Sequence, residues 1–527
     1  MISQATQSLI QKYLSWHQSL QPKEGVSTVH VDELASRVAA FYEKIRGVID
    51  WKEEHLLRKS AIERNLKRRL ILNQSEANIA SSLVLELVRG GYFPNDKIEE
   101  SKIEIIKSII DKYVLVINNS PAPPQEKIKI QLQNWLIELA SCEIEETLDT
   151  RTRENSQMEY MVNEMMVRID VKDKISDEDK KIQIYIAVQK ALFKLDPSII
   201  TYHLLEQRYP NWHNLSFAEL NEIAQNIYLI WEKIDQDFKH PLAEKFYRIC
   251  EQYDTPYLIM GDILSEDTGK VEERFNDPEK LELSIKSSYD KRYKQLKSRL
   301  KRAAVYSTLS IFLTKMLLAL AIEIPLDKYI TANFNAMTLG VNILIPPLLM
   351  FLLVLTIRPP RKENLQKVIL EIMKVVYEGK RKDIYPIKSK KKRGIILKSI
   401  IFFFYLIMFI ISFGVIWWLL STLPQFGILS KIIFMIFVSL ISFAGIKIRE
   451  RSKELQVEPD KGNAITFLMD SFSLPFIQMG KWLSNEFSKY NVFVVFFNSL
   501  IDMPFQIFVE FLEQWRYFLK EKREEIH

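Results

Sequence analysis

The sequence predicts an all-α, multi-pass membrane protein with a large N-terminal cytoplasmic helical domain, about four transmembrane helices and a C-terminal amphipathic, interfacial helical tail. Three observations predict this fold class. Four long apolar segments lie between residues 303 and 448, basic residues are concentrated on one side of these segments, and glycine provides only 14 of the 527 residues. Few glycines and little strand-like alternation favour helices over strands throughout the chain.

The first 300 residues are predicted to form cytoplasmic helices. One long helix is expected from Val31 to about Leu72, because apolar residues recur there at helical spacing. The proline-rich stretch 118–125 predicts a connector between helical regions at 1–118 and 125–300. A charged helix over 279–302 is expected to continue directly into the first apolar segment. Shorter helices are predicted at 76–89, 101–117, 126–149, 156–169, 179–194, 217–238 and 241–253.

A membrane unit is predicted at 303–448. Its apolar segments cover 303–326, 335–357, 399–420 and 427–446. Crossing a bilayer takes about 20 apolar residues in a helix, and only a helix satisfies all of its own backbone hydrogen bonds inside hydrocarbon. Each of the four segments is therefore predicted to be a transmembrane helix.

Charge determines the predicted orientation of these helices. The loop 358–398 carries 14 Lys and Arg against four acidic residues, and further basic residues precede the first segment and follow the fourth. Basic residues of short loops remain on the cytoplasmic side of a membrane. Both termini and this loop are therefore expected in the cytoplasm, in an integral protein of the cytoplasmic (inner) membrane. Because the positive charge is concentrated in one loop, nucleic-acid binding is not expected.

Polar residues inside the apolar segments form a candidate intramembrane site. Lys315 lies near the middle of the first segment with Glu323 two turns later, and Asn342 precedes Pro346 and Pro347 in the second. A charge at the bilayer centre costs roughly 3 kcal/mol or more. One interpretation is a transport site at a helix break, since prolines free carbonyls one turn earlier. The other is a structural contact, in which those carbonyls or Asn342 hold the ammonium.

A basic cluster just before the third segment is predicted to contact anionic lipid headgroups. Each basic residue near a membrane surface contributes about 1 kcal/mol of attraction to anionic lipid. The alternative is that these residues only fix the topology. The cluster consists of Lys388, Lys390, Lys391, Lys392 and Arg393.

The tail, 463–527, is predicted to lie in the membrane interface. It contains two proline-interrupted apolar pieces, and the second has an amphipathic pattern. Trp482 and Trp515 are the predicted interfacial anchors. The alternative is that the tail packs as ordinary core against the cytoplasmic domain.

The sequence contains no motif for catalysis, a metal or a cofactor, so none of these is expected. Its seven histidines are scattered and match no metal-binding spacing. Cys142 and Cys250 are expected to be reduced thiols in the cytoplasm. The acidic residues Glu143, Glu145, Glu146 and Asp149 are predicted to form a solvated helix face.

These patterns favour a non-enzymatic function: a membrane-anchored helical platform that binds a cytoplasmic protein partner or anionic lipid. The alternatives are a transporter or channel-like protein centred on Lys315 and the Pro346-Pro347 helix break, and a membrane-bound enzyme. A homo-oligomer is compatible with all three. One observation separates these alternatives: whether Lys315 faces a hydrated cavity, a neighbouring helix or lipid.

Overall fold

The computed structural model describes twelve continuous ranges of the chain and four single residues. The ranges are 2–19, 25–32, 54–71, 76–123, 125–172, 175–266, 270–329, 336–377, 383–388, 394–422, 427–457 and 464–489, and the single residues are Phe511, Trp515, Phe518 and Leu519. The described residues are predominantly helical, which confirms the predicted all-α class. Two compact units are present, a helical unit (Ser8–Asp170, Lys174–Glu251 and Phe493–His527) and an apolar-helix unit (Met1–Gln7, Val171–Asp173 and Gln252–Val492).

In the described part of the chain, eleven helices and one short strand precede residue 267. The elements are α1 (Gln4–Ser19), α2 (Glu54–Ile71), α3 (Glu76–Arg89), α4 (Ser101–Asn119), α5 (Glu126–Leu148), α6 (Thr152–Arg168), β1 (Ile169–Val171), α7 (Asp177–Leu192), α8 (Pro197–Arg208), α9 (Phe217–Phe238), α10 (Ala243–Gln252) and α11 (Asp254–Glu266), with a 3₁₀ turn at Trp212–Asn214. They confirm the seven shorter helices predicted between 76 and 253. Of the long helix predicted from Val31 to about Leu72, 54–71 is helical as α2, Val31 and Asp32 are not helical, and 33–53 lies outside the described residues.

The helical unit is built around α5. This helix packs against α2, α4 and α8. The proline-rich stretch 118–125 joins α4 to α5, and both helices belong to the same unit. The connector predicted from proline content therefore lies within one compact unit.

Side-chain caps determine where several helices begin. Asp196 accepts a hydrogen bond from the Ile199 amide at the start of α8, and Pro197 occupies the first helical position, where its missing N–H has no cost. Ser216 and Glu219 form a reciprocal capping box at the start of α9. The cap at Asp196 thus fixes the first turn of α8, the helix that carries His203 and Glu206.

The acidic residues of α5 correct one expectation from the sequence. Glu143 and Glu145 are buried rather than solvated. Glu143 accepts hydrogen bonds from Lys112 and Tyr113. Burial is the largest influence on Glu145 and raises its pKa to about 7, although the nearby Arg151 guanidinium opposes this shift. The predicted solvated face was wrong for these two acids because helices from other parts of the chain cover them, whereas Asp149 is exposed as predicted.

The apolar-helix unit contains α11 and the remaining elements. The remaining elements are α12 (Val271–Asn276), α13 (Pro278–Leu318), a π-helical turn (Ala319–Glu323), α14 (Ile324–Tyr329), α15 (Ala336–Leu355), α16 (Glu363–Val376), β2 (Tyr385–Ile387), α17 (Ile395–Thr422), α18 (Ile428–Ser452) and α19 (Ala464–Lys489). Helix α13 packs against α15, α16 and α18, and α18 also packs against α15 and α19. The charged helix predicted at 279–302 does continue into the first apolar segment, since α13 covers 279–302 and the segment as far as Leu318.

Three helices in the described part of the chain have the length and apolar composition to cross a membrane. They span Pro278–Glu323, Ile396–Thr422 and Ile428–Ser452. The second predicted segment corresponds to α15, whose described apolar stretch, Leu339–Leu355, is shorter. The four predicted segments are thus all apolar helices, and three of them reach membrane-spanning length.

The first piece of the predicted tail forms one continuous helix, α19, which runs through Pro475. It packs against α17 and α18. The Ser412 hydroxyl of α17 donates to the Phe472 carbonyl at 2.9 Å, and Phe476 of α19 is buried. Most of the second piece lies outside the described residues.

Candidate functional site

A buried ion pair within the first apolar helix is connected to a second apolar helix by a hydrogen bond. Lys315 Nζ of α13 lies 2.5 Å from Glu323 Oε1, and Asn342 Nδ2 of α15 donates to Glu323 Oε2 at 2.8 Å. None of the three residues is more than 2% exposed. The ammonium also lies 5.4 Å from the centroid of the Phe437 ring on α18, within the range of a cation–π contact. The polar cluster, defined as Lys315, Glu323 and Asn342, thus links three helices.

The π-helical turn explains why Lys315 and Glu323 meet. In an α-helix each residue advances about 100° around the axis, so residues eight apart point about 80° away from each other. A π-helical turn absorbs one extra residue, which gives Glu323 the angular position of a residue seven further on, only about 20° from Lys315. The wider turn therefore brings the carboxylate onto the face that carries the ammonium.

The two prolines of α15 do not interrupt the helix. Pro346 and Pro347 are buried inside α15, which continues to Leu355. The predicted helix break is therefore absent from this part of the chain. The hydrogen bond of the Lys315 ammonium goes to Glu323 rather than to carbonyls freed by the prolines. The sequence placed these residues in one region but did not identify Glu323 as the direct partner of Lys315.

One buried atom of the polar cluster has no hydrogen bond. Within the described residues, no donor reaches Oδ1 of Asn342. A buried acceptor without a partner costs about 1–3 kcal/mol of stability. The polar cluster therefore contains one unsatisfied hydrogen-bond acceptor.

A second candidate feature is a pocket of about 990 Å³ beside the ends of α15 and α18. Part of its wall is apolar, from residues such as Leu353, Ile357 and Ile446. Its charged residues are five basic ones and two acidic ones: Arg358, Arg361, Lys367, Arg449, Lys453, Glu363 and Asp470. We refer to this feature as the basic pocket. Its combination of apolar wall and excess positive charge is suited to a ligand with an acyl chain and an anionic group.

Two of the seven charged residues neutralise each other. Arg449 Nη1 lies 3.3 Å from Asp470 Oδ1, and both side chains are about half exposed. Arg358 and Arg361 are exposed and have no ion-pair partner among the described residues. The net positive charge of the basic pocket is therefore carried largely by residues that remain open to a ligand.

The remaining residues that were predicted to contact the membrane are exposed in every case that the structure describes. Lys388 is exposed, whereas Lys390, Lys391, Lys392 and Arg393 lie outside the described residues. Trp482 of α19 is 59% exposed and Trp515 is 50% exposed. The Trp515 ring is 6.0 Å from that of Phe511, which is also exposed.

Two glycines permit close packing of the apolar helices and were not identified from the sequence. A Cβ at Gly480 of α19 would lie 2.1 Å from the Ser439 carbonyl oxygen of α18. A Cβ at Gly445 of α18 would lie 2.3 Å from Leu353 Cδ2 of α15. Glycines within apolar helices were the available signal, because small residues let helix backbones approach each other.

Similarity does not assign a function to these features, since no protein-family model, curated protein or solved structure matches the chain.

Proposed function

We propose that the chain is a membrane-anchored, non-enzymatic helical platform that binds anionic lipid at the basic pocket. In this proposal α13, α15, α17 and α18 cross the bilayer, and both termini lie in the cytoplasm. The helical unit then provides the cytoplasmic surface for a protein partner. Residues that precede α13 make up more than half of the chain, which supports a large cytoplasmic function.

The observation that carries the membrane assignment is the exposure of α17. Only 6% of the residues in its most apolar 18-residue stretch are buried. Phe402, Phe403 and Trp418 are each more than half exposed. Soluble proteins rarely present so large a contiguous apolar surface to water. A bilayer would cover it, because lipid tails solvate apolar side chains on every face of the helix.

The polar cluster favours a platform over a transporter. Lys315 and Glu323 neutralise each other and are fully buried. A transport residue has to contact a cargo or coupling ion, whereas this ammonium faces its own carboxylate and an aromatic ring. We therefore assign the cluster to holding α13, α15 and α18 together, and transport remains the second candidate.

The position of the basic pocket supports lipid binding. It lies where α15 ends and the basic loop 358–398 begins, which is the cytoplasmic end of the helix in the proposed topology. The inner leaflet carries anionic lipid, and each basic residue near its surface contributes about 1 kcal/mol. An acyl chain can follow the apolar wall while Arg358 and Arg361 contact the headgroup phosphate.

Replacing both Arg358 and Arg361 by Gln is expected to weaken phosphatidylglycerol binding by about tenfold or more, because two favourable charges are lost. Binding is measured on the purified full-length protein in detergent, by titrating phosphatidylglycerol and following the thermal midpoint. Phosphatidylcholine, which has no net charge, should bind weakly to both proteins.

The matched control replaces two basic residues of α18 that do not line the basic pocket, in Lys431→Gln/Lys447→Gln. This double variant should bind phosphatidylglycerol as the unmodified protein does. Equal losses in the two double variants would show that attraction is only general, and equal binding of phosphatidylcholine would remove the anionic-lipid assignment.

A further inference from the structure

A mixed cluster of carboxylates and imidazole lies in the helical unit, where the sequence had suggested no metal site. Glu146 of α5 meets His203 and Glu206 of α8, and their ligand atoms all lie within 4.8 Å of one another. His203 and Glu206 are three residues apart and therefore project from the same face of α8. Because α5 and α8 pack together, the third group comes from a residue 57 positions earlier than His203.

The His203 ring is oriented by a neighbour that is not part of the cluster. Its Nδ1 lies 2.6 Å from Oε1 of Gln189 on α7. In this orientation of the Gln189 amide its oxygen accepts, so Nδ1 carries the proton and donates it to Gln189. Nε2 then faces the cluster, 3.2 Å from Glu146 Oε2. Histidines that bind metals commonly have their second ring nitrogen fixed in this way.

Both carboxylates are also held by neighbouring donors. Asn155 Nδ2 donates to Oε1 of Glu146 at 2.9 Å. The Tyr202 hydroxyl and His213 Nε2 each lie 2.8 Å from Oε1 of Glu206, and no hydrogen bond from the described residues reaches its Oε2. One oxygen of each carboxylate is thus anchored, and the other is free to face the cluster.

We propose that Glu146, His203 and Glu206 bind one divalent transition-metal ion of the Zn²⁺ class. Imidazole and carboxylate are both ligands of Zn²⁺, and two carboxylates balance its charge. Three protein ligands leave one position for water or another small ligand. The site would give the proposed platform a metal-dependent element in its helical unit, and it does not depend on the lipid-binding proposal.

The geometry requires only a small adjustment to bind an ion. Zn²⁺ bonds to nitrogen and oxygen are about 2.0–2.2 Å long, so two ligand atoms of a tetrahedral ion lie about 3.4 Å apart. The present limit of 4.8 Å exceeds this spacing by about 1.4 Å, so the partly exposed Glu146 and Glu206 side chains have to rotate toward His203 to close around an ion. Solvent access is adequate, since the side chains of Glu146 and Glu206 are 18% and 29% exposed while His203 is 4% exposed.

A purely structural interpretation would make His203 an imidazolium held by Glu146. It explains the 3.2 Å contact and leaves Glu206 to its own hydrogen bonds with Tyr202 and His213. The two interpretations therefore differ in the role that they give to the Glu206 carboxylate. A metal requires both carboxylates, whereas an ion pair requires only Glu146.

The test uses the purified full-length protein in detergent, stripped with a chelator and titrated with Co²⁺ and then Zn²⁺. One equivalent of Co²⁺ per chain should produce a visible absorption band stronger than that of the aqueous ion, and Zn²⁺ should displace it. Glu206→Gln keeps an acceptor for Tyr202 but loses the charge. It should weaken Co²⁺ binding by at least about tenfold. Loss of a group that only hydrogen-bonds a metal ligand already costs about tenfold or more in metal affinity, and Glu206 is itself a proposed ligand.

Two controls separate this site from adventitious binding. Glu159→Gln removes an exposed carboxylate of α6 that is paired with Lys12, and His17→Gln removes an exposed imidazole of α1. Both should bind Co²⁺ as the unmodified protein does. Absence of the absorption band in the unmodified protein, or an unchanged affinity in Glu206→Gln, would overturn the metal site and leave His203 and Glu146 as a structural pair.

Discussion

Removing one member of the buried ion pair is expected to destabilise the protein by about 3–5 kcal/mol, because the remaining charge is left without its partner in an apolar environment. Lys315→Met leaves the Glu323 carboxylate with Asn342 alone. Glu323→Gln leaves the ammonium with an amide and the Phe437 ring. Both single variants should show a large fall in the thermal midpoint of the purified protein in detergent.

The double variant Lys315→Met/Glu323→Gln should recover most of the lost stability. It removes both charges, and the new amide oxygen at position 323 can still accept the hydrogen bond from Asn342 Nδ2. Replacing a whole buried pair by neutral groups is often neutral or stabilising. Lys447→Met, at an exposed lysine of α18, controls for the general loss of a charge. Additive losses in the double variant would show that the two charges do not act as a pair.

The second large effect is expected at Gly480, where Gly480→Ala should destabilise the packing of α19 on α18. The added methyl group would lie 2.1 Å from the backbone carbonyl oxygen of Ser439, so one helix has to move. Overpacking of this kind typically costs about 1–3 kcal/mol and occasionally more. Thermal unfolding in detergent measures the loss directly.

Gly445→Ala is the matched comparison, since its methyl group would also lie too close to a neighbour. That neighbour is the end of the Leu353 side chain, which can rotate away. The loss at Gly445 should therefore be clearly smaller than the loss at Gly480. Equal stability of the two variants would contradict the close backbone approach of α19 to α18.

The sequence predicted helices well because their signals are local. Apolar segments, caps and prolines each act over a few residues, so the bounds of α3, α4, α5 and α9 were close to the predicted ones. The continuity of α13 also followed from local pattern, since no breaker separates its charged and apolar parts.

The sites were harder to predict because they depend on tertiary placement. The π-helical turn that brings Glu323 onto the face of Lys315 has no recognised sequence signal, and proline content suggested a break that α15 does not have. The cluster of Glu146, His203 and Glu206 depends on the packing of α5 against α8. No spacing rule connects residues so distant in the chain, so the acids of α5 were interpreted as a solvated face.

The most direct test of the central proposal is the topology of the apolar helices in intact cells. Single cysteines are introduced by Lys328→Cys, Gln425→Cys and Ser389→Cys and exposed to a membrane-impermeant maleimide. The unmodified chain, whose Cys142 and Cys250 are buried, gives the background. Lys328→Cys and Gln425→Cys should react in intact cells, and Ser389→Cys only after the membrane is opened, because basic loops remain cytoplasmic. Reaction of Ser389→Cys in intact cells, or of neither other variant, would contradict a membrane-spanning platform with cytoplasmic termini.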